Sequence, residues 1–175
     1  MRTFSIVFSM FALTACSSSS TGGAQAASAA VSADPTSFCS TYCKRNSACD
    51  SSVDVQTCSK TCQNEIGPTV ARLRSDVIQG VQSCYDAADC KSVLSDHGVK
   101  DCIEESAVSM TPTGAARTFC DDFVAAAKHC DTDINHAECL TGMRLYSDET
   151  LTAADACTQK SCSAIAPCLK AEFGE

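Results

Sequence analysis

The sequence predicts an all-α fold made of two related, disulfide-stapled helical modules, each opening with a helical hairpin. Three observations lead there. Fifteen of 175 residues are Cys, a density typical of exported chains that hold a modest core together covalently. No stretch alternates polar and apolar residues as a strand does, and apolar residues recur instead at three- and four-residue spacing. Finally, residues 38–62 (FCSTYCKRNSACDSSVDVQTCSKTC) return in thinner form at 119–143 (FCDDFVAAAKHCDTDINHAECLTGM). Cys39, Cys49 and Cys58 are spaced as Cys120, Cys130 and Cys139 are, with Phe before the first of each set. Aromatic residues are few: Trp is absent and Phe4, Phe8 and Phe11 crowd the N-terminus. The staples therefore supplement a thin hydrophobic core.

Residues 1–15 begin with the positive Met1-Arg2 and continue as an apolar run to Leu13. That run is short of the ~20 residues needed to cross a bilayer, so it reads as an export signal. Leu13-Thr14-Ala15-Cys16 closes it. The motif resembles the lipobox of bacterial lipoproteins: an aliphatic residue, two small ones, then Cys. The resemblance implies cleavage before Cys16, a diacylglyceryl group on the Cys16 thiol and acylation of the new N-terminus. It also implies that Ser17, which is not the inner-membrane Asp, directs the protein to the outer membrane. More than one acyl chain makes such anchoring stable. Assigning Cys16 to lipid leaves fourteen cysteines, an even number available for pairing. The chain is thus similar to the loose class of cysteine-rich envelope lipoproteins. Residues 16–35 are rich in Ser, Ala and Gly and are expected to form a flexible tether with a reach of roughly 25 Å.

The first module is expected at 36–110. Pro35, Thr36 and Ser37 read as a helix start, with Phe38, Cys39, Tyr42 and Cys43 on one face. Ser51, Ser52 and Asp54 mark a loop and cap before a second helix carrying Val55, Cys58, Cys62 and Ile66. Gly67-Pro68 ends it. Val70, Leu73, Val77, Ile78 and Val81 predict one amphipathic helix over 70–81. A fourth helix is expected over 86–95 with Gly98 at its C-terminal cap, and a short fifth over 100–108. The second module is expected at 113–175, with helices over 115–130, 135–146 and 148–157, then a segment around 162–173 in which Pro167 begins the last helix.

Cys43 and Cys62 correspond to Val124 and Met143 in the second copy. Their joint replacement by apolar residues argues that Cys43 bonds Cys62. In an antiparallel hairpin, facing residues keep a nearly constant sum of residue numbers. Cys43–Cys62 and Cys49–Cys58 satisfy that loosely and put the turn in the 51–54 loop, so Cys130–Cys139 follows by analogy. Spacing leaves the rest weakly specified, and the expectation is Cys39–Cys84, Cys90–Cys102, Cys120–Cys157 and Cys162–Cys168. A rival comes from resemblance: Cys39-x3-Cys43 and Cys58-x3-Cys62 are similar to the twin CX3C hairpins of small mitochondrial import chaperones. That resemblance implies Cys39–Cys62 and Cys43–Cys58, and would leave one survivor of each bond in the second copy.

The net charge of −8 disfavours nucleic acid and anionic membrane surfaces as partners, since both are bound through Lys and Arg. Asp121-Asp122 and Glu104-Glu105 are adjacent on helices and diverge by about 100°, so neither forms a carboxylate dyad. No Gly-x-Ser-x-Gly elbow or Gly-rich phosphate loop is present. No catalytic residue, cofactor or resident metal is expected. Two arrangements could hold a metal: CX3C thiol pairs suit Cu(I), and His129, Cys130, His136 and Cys139 lie close together in sequence. His97, beside Gly98, is expected at a helix C-terminus. The functional expectation is a non-catalytic display or binding role in the cell envelope, the membrane being engaged through the lipid and a further envelope protein being a candidate partner. A structural surface-coat protein and a Cu(I)-holding protein are the alternatives. The apolar run over 70–81 is the candidate docking face.

Overall fold

The computed structural model describes residues 30–174 except Asp96. The fold is all-α, with ten helices among the described residues: α1 Pro35–Cys49, α2 Val55–Glu65, α3 Gly67–Val70, α4 Ser75–Ala87, α5 Cys90–Val93, α6 Gly98–Val108, α7 Gly114–His129, α8 His136–Met143, α9 Asp148–Thr158 and α10 Cys162–Phe173. Short polar side chains start most of them. Asp34 accepts from the amides of Thr36 and Ser37, Asp54 from Thr57, Asp89 from Ser92, Thr113 from Ala116, and Asn135 from Ala137 and Glu138. Each such cap contributes about 1 kcal/mol.

α1–α2 and α7–α8 are the two expected hairpins. The helix expected over 70–81 is broken: α3 ends at Val70, residues 71–74 leave the helix, and α4 starts at Ser75. The backbone of Arg72–Ser75 hydrogen-bonds instead to residues far along the chain, which outweighs local periodicity. The helix expected over 86–95 shrinks to α5, which the extended residues Ala88 and Asp89 separate from the end of α4. Gly98 is the first residue of α6 rather than a C-terminal cap, and a Cβ there would run into the carbonyl of Ser92. His97 accordingly caps the start of α6, not the end of a helix. Pro167 lies inside α10, where it forgoes one backbone hydrogen bond.

Two cores result. One gathers Phe38, Cys39, Cys43, Val70, Val77, Val81 and Tyr85; the other Ala116, Phe119, Cys120, Leu151 and Ala154. Cystine sulfur is part of both, because Cys39, Cys43 and Cys120 are fully buried. Tyr85 ties α4 to its neighbours: its hydroxyl donates to the carbonyl of Val93 and accepts from Asn46. Burial, then the stacked Tyr42, pushes its pKa up to about 12.

Seven disulfides link these helices, and none matches the pairing expected from the hairpin argument: Cys39–Cys62, Cys43–Cys58, Cys49–Cys90, Cys84–Cys102, Cys120–Cys139, Cys130–Cys162 and Cys157–Cys168. Cys43–Cys62 and Cys49–Cys58 are replaced by Cys39–Cys62 and Cys43–Cys58, the pairing the CX3C resemblance implies. These two bonds share one residue-number sum, so they are level rungs of a single hairpin. Cys49 is excluded by rotation: at 100° per residue it sits about a third of a turn from Cys43. It bonds α5 instead, which rules out Cys90–Cys102. Cys130 sits off the Cys120 face of its hairpin in the same way and reaches Cys162 at the start of α10, which rules out Cys130–Cys139 and Cys162–Cys168. Cys39–Cys84 and Cys120–Cys157 fail because Cys39 and Cys120 are used within their hairpins. Cys84 and Cys157 fasten their helices to α6 and α10.

In the second module the two surviving hairpin cysteines, Cys120 and Cys139, bond each other diagonally. They correspond to Cys39 and Cys58, one helical turn away from either rung of the first hairpin. The remaining bridges run in the same order in both modules: the end of the first helix to the start of a later one, then the third long helix to the last.

α4 and α6 approach closely at Gly80, where a Cβ would lie 2.8 Å from the Ser106 hydroxyl and 3.1 Å from its Cβ. Ser106 is buried and has little room to retreat. Gly80→Ala is therefore expected to destabilise by about 1–2 kcal/mol by overpacking, despite Ala being the better helix former. Combining it with Ser106→Gly should recover part of the loss in urea unfolding. Equal stability of Gly80→Ala and the parent would contradict the close packing.

Candidate functional site

The described residues that gather polar chemistry lie where the two modules meet. Two related pentapeptides build the place: Arg72-Leu73-Arg74-Ser75-Asp76 and Arg144-Leu145-Tyr146-Ser147-Asp148. The first follows α3 and leads into α4; the second follows α8 and leads into α9. They pair antiparallel, Leu73 opposite Tyr146. The Arg74 amide donates to the Leu145 carbonyl (3.0 Å) and the Ser147 amide to the Arg72 carbonyl (2.9 Å). Thr150 Oγ1 donates to the same Arg72 carbonyl at 3.1 Å.

Arg74 is the centre of this seam. Its side chain is 11% exposed and forms a fork on Asp76, Nε to Oδ1 at 2.9 Å and Nη2 to Oδ2 at 2.6 Å. Nη1 donates to the carbonyls of Thr111 (2.9 Å) and Arg144 (3.2 Å). The Arg74 hydrogen bonds hold the Asp76 carboxyl below the ordinary carboxylate range. Arg72 Nε donates to the Glu172 carbonyl at 2.6 Å, reaching α10 from the first module. Residues 30–33 form a third extended segment here, with Ser32 opposite Arg74 and Ala33 buried. A cavity of about 430 Å³ opens beside it, lined by Ser32, Arg72, Glu149, Thr150 and Glu172 among others. Among the described residues no disulfide crosses the seam.

Of the seam residues the sequence marks Leu73 alone, and as part of a helical face rather than of an extended strip. The signal was present as the shared R-L-x-S-D, which a search for cysteine spacing passes over. Residues 30–34, expected as the end of the tether, belong to the folded body.

The other candidates are dispersed or consumed. Val70, Val77, Ile78 and Val81 of the expected docking face are core residues. Asp121 pairs with His136 (Oδ1 to Nε2, 2.8 Å), and Glu104 with Lys100 (3.6 Å). Cys130 and Cys139 go to different disulfides, and all fourteen described cysteines are bridged, so a Cu(I) or His–Cys site has no thiolate to use in the oxidised chain. No group of metal-ligating residues occurs among the described residues. Cys16 and its lipobox lie outside the described residues.

Asp122, by contrast, faces Asp155 across the α7–α9 contact. Asp155 Oδ1 is buried without a hydrogen-bond partner. Burial, then the Asp122 charge, raises its pKa. When both are ionised neither carboxylate can donate; protonation of one lets a hydrogen bond form between them. The protonated form thus favours the fold, an effect complete below the ordinary carboxyl range and lost as pH rises through the raised value. Asp155→Asn is expected to stabilise at pH 7 by up to about 1 kcal/mol, the gain shrinking toward pH 4. A gain that is independent of pH would point to a cause other than this pair.

Seven bridges befit an exported protein in an oxidising setting. No helix among the described residues is long and apolar enough to cross a membrane. No family model matches the chain, and neither a curated protein nor a solved structure does so.

Proposed function

We propose that this is a lipid-anchored envelope lipoprotein of the outer membrane with a non-catalytic display or binding role. The observation that carries the reading is the cysteine account. Fourteen of the fifteen cysteines close seven bridges, and the one left over is Cys16, at the end of the lipobox. An odd cysteine in an exported chain calls for a separate use, and acylation supplies it. Under this reading the Ser-, Ala- and Gly-rich residues 17–29 serve as the spacer between lipid and protein. A chain stapled within each module and held to the membrane by lipid is suited to presenting a durable surface, and the seam is its most differentiated part.

Intact mass of protein purified from membranes tests the anchor and the bridges together. The expected mass starts at Cys16, carries a diacylglyceryl and an acyl increment, and rises on reduction by about two mass units per bridge. Cys16→Ala should lose the lipid and leave the membrane fraction with the bridges intact. An unmodified Cys16 in membrane-derived protein would refute the lipoprotein reading. Cross-linking in intact cells through residues around the seam tests the binding role; a single recurring envelope protein is the expected product, and no product at all favours a surface coat.

A further inference from the structure

We propose that residues 30–33 are a displaceable strap: they lock the seam between the two separately cross-linked modules, and their withdrawal loosens it with every disulfide intact.

The alternation of the strap's hydrogen bonds carries this. Its odd residues bond the first module. The Ala33 amide donates to the Leu73 carbonyl at 2.9 Å, and the Val31 carbonyl accepts from the Ser75 amide at 2.8 Å. Its even residues bond the second. The Ala30 carbonyl accepts from the Asp148 amide at 3.0 Å and the Ala30 amide donates to Asp148 Oδ2 at 3.1 Å. Ser32 Oγ donates to Ser147 Oγ at 3.1 Å and lies 3.3 Å from Glu149 Oε2. An extended chain directs its main-chain groups alternately to either side; Ala30 on one side and Val31 and Ala33 on the other meet different modules through their main chain, and Ser32 adds its side chain on the Ala30 side.

The strap is also built to leave. Val31 is 69% exposed, and the one buried apolar side chain in the segment is the methyl of Ala33. No cysteine lies within it, so release needs no redox step. All seven bridges close within 39–102 or 120–168, so each module keeps its own staples when the seam opens. Edge segments with few buried contacts open at low free energy. Under the lipoprotein reading, tension on the anchor reaches the strap before any of the ten described helices. That direction of pull rests on the proposed function; the locking of the seam does not.

Amide hydrogen exchange on the full chain tests the lock. Ala33→Pro removes the donor to Leu73, and Ser32→Ala removes the hydroxyl that reaches Ser147 and Glu149; the second change is small enough to leave folding intact. The informative amides are those of Arg74 and Ser147, whose N–H groups bond across the seam to Leu145 and Arg72 rather than to the strap. In Ala33→Pro they should exchange about tenfold faster or more, and in Ser32→Ala a few-fold faster, while α4 and α7 keep their protection and non-reducing mass still shows seven bridges. Faster exchange at Ser75 and Asp148 alone, with Arg74 and Ser147 unchanged, overturns the proposal: the strap would then ride on a seam that holds itself. Membrane fractionation of the same variants reads the anchor separately, so failure of either idea is distinguishable from failure of the other.

Discussion

Copying the second hairpin into the first, with Cys43→Val and Cys62→Met, is expected to yield a folded protein with six bridges, one of them a new Cys39–Cys58 bond. The reasoning starts from the level rungs Cys39–Cys62 and Cys43–Cys58. Removing one cysteine from each leaves Cys39 and Cys58 orphaned, the counterparts of Cys120 and Cys139, which are bonded. Val and Met already occupy the corresponding positions 124 and 143. A slide of one helical turn, about 5.4 Å, brings the orphans together. The variant should lose about 2–4 kcal/mol, the contribution of one bridge closing a short loop, plus strain from repacking around Cys43, which is fully buried. Peptide mapping without reductant reads the bond and thermal melting reads the cost. If Cys39 and Cys58 stay as free thiols in a folded chain, the diagonal register belongs to the second module alone. Removing Cys43 and Cys58 together should cost a similar amount but leave Cys39–Cys62 in its place, which separates loss of a bridge from change of register.

Both hairpins and most of the longer helices were legible because they rest on local signals: caps such as Asp54, and apolar spacing that repeats over several turns. The disulfide partners were not, for reasons that differ by site. Joint loss of Cys43 and Cys62 from the second copy suggested a bond between them, but paired disappearance also results when each loses a different partner and the two survivors re-pair. Cys49 looked like a hairpin residue by its number and is turned away by its angle. Cys90 and Cys102 lie close in sequence but are split between α5 and α6, each claimed by another helix. The seam was illegible for a further reason. Val70 and Val77 mark a helical face on either side of Leu73, yet the Arg72 carbonyl and the Arg74 amide take partners some seventy positions later, at Ser147 and Leu145. No periodicity in 70–81 carries information about Leu145 or Ser147. Only the recurrence of R-L-x-S-D, set outside the register of the cysteine repeat, marked both strips as special.

Arg74→Met is expected to be among the most damaging single substitutions outside the disulfides, with a loss of about 2–4 kcal/mol. Met replaces most of the side-chain volume, so the loss reports polar contacts more than a cavity. Four hydrogen bonds disappear, two to Asp76 and one each to the carbonyls of Thr111 and Arg144. Those carbonyls belong to the inter-module linker and to the end of α8, so the seam and the linker loosen together while every bridge stays closed. Asp76 is half exposed and regains water, which keeps the cost below that of stranding a fully buried charge. The pH dependence separates the fork from the carbonyl contacts. Arg74 lowers the Asp76 pKa, so the fork's contribution is full above the ordinary carboxylate value of about 3.9 and is lost as pH falls through the lowered folded value. The parent should therefore lose stability on acidification, and both Arg74→Met and Asp76→Asn should flatten that part of the curve. Asp76→Asn keeps the bonds to Thr111 and Arg144 and should cost less at pH 7 than Arg74→Met. If the two substitutions cost the same, Arg74 acts only through its carboxylate partner, and the hold it exerts on the second module falls to the backbone pairing of Leu73 with Tyr146.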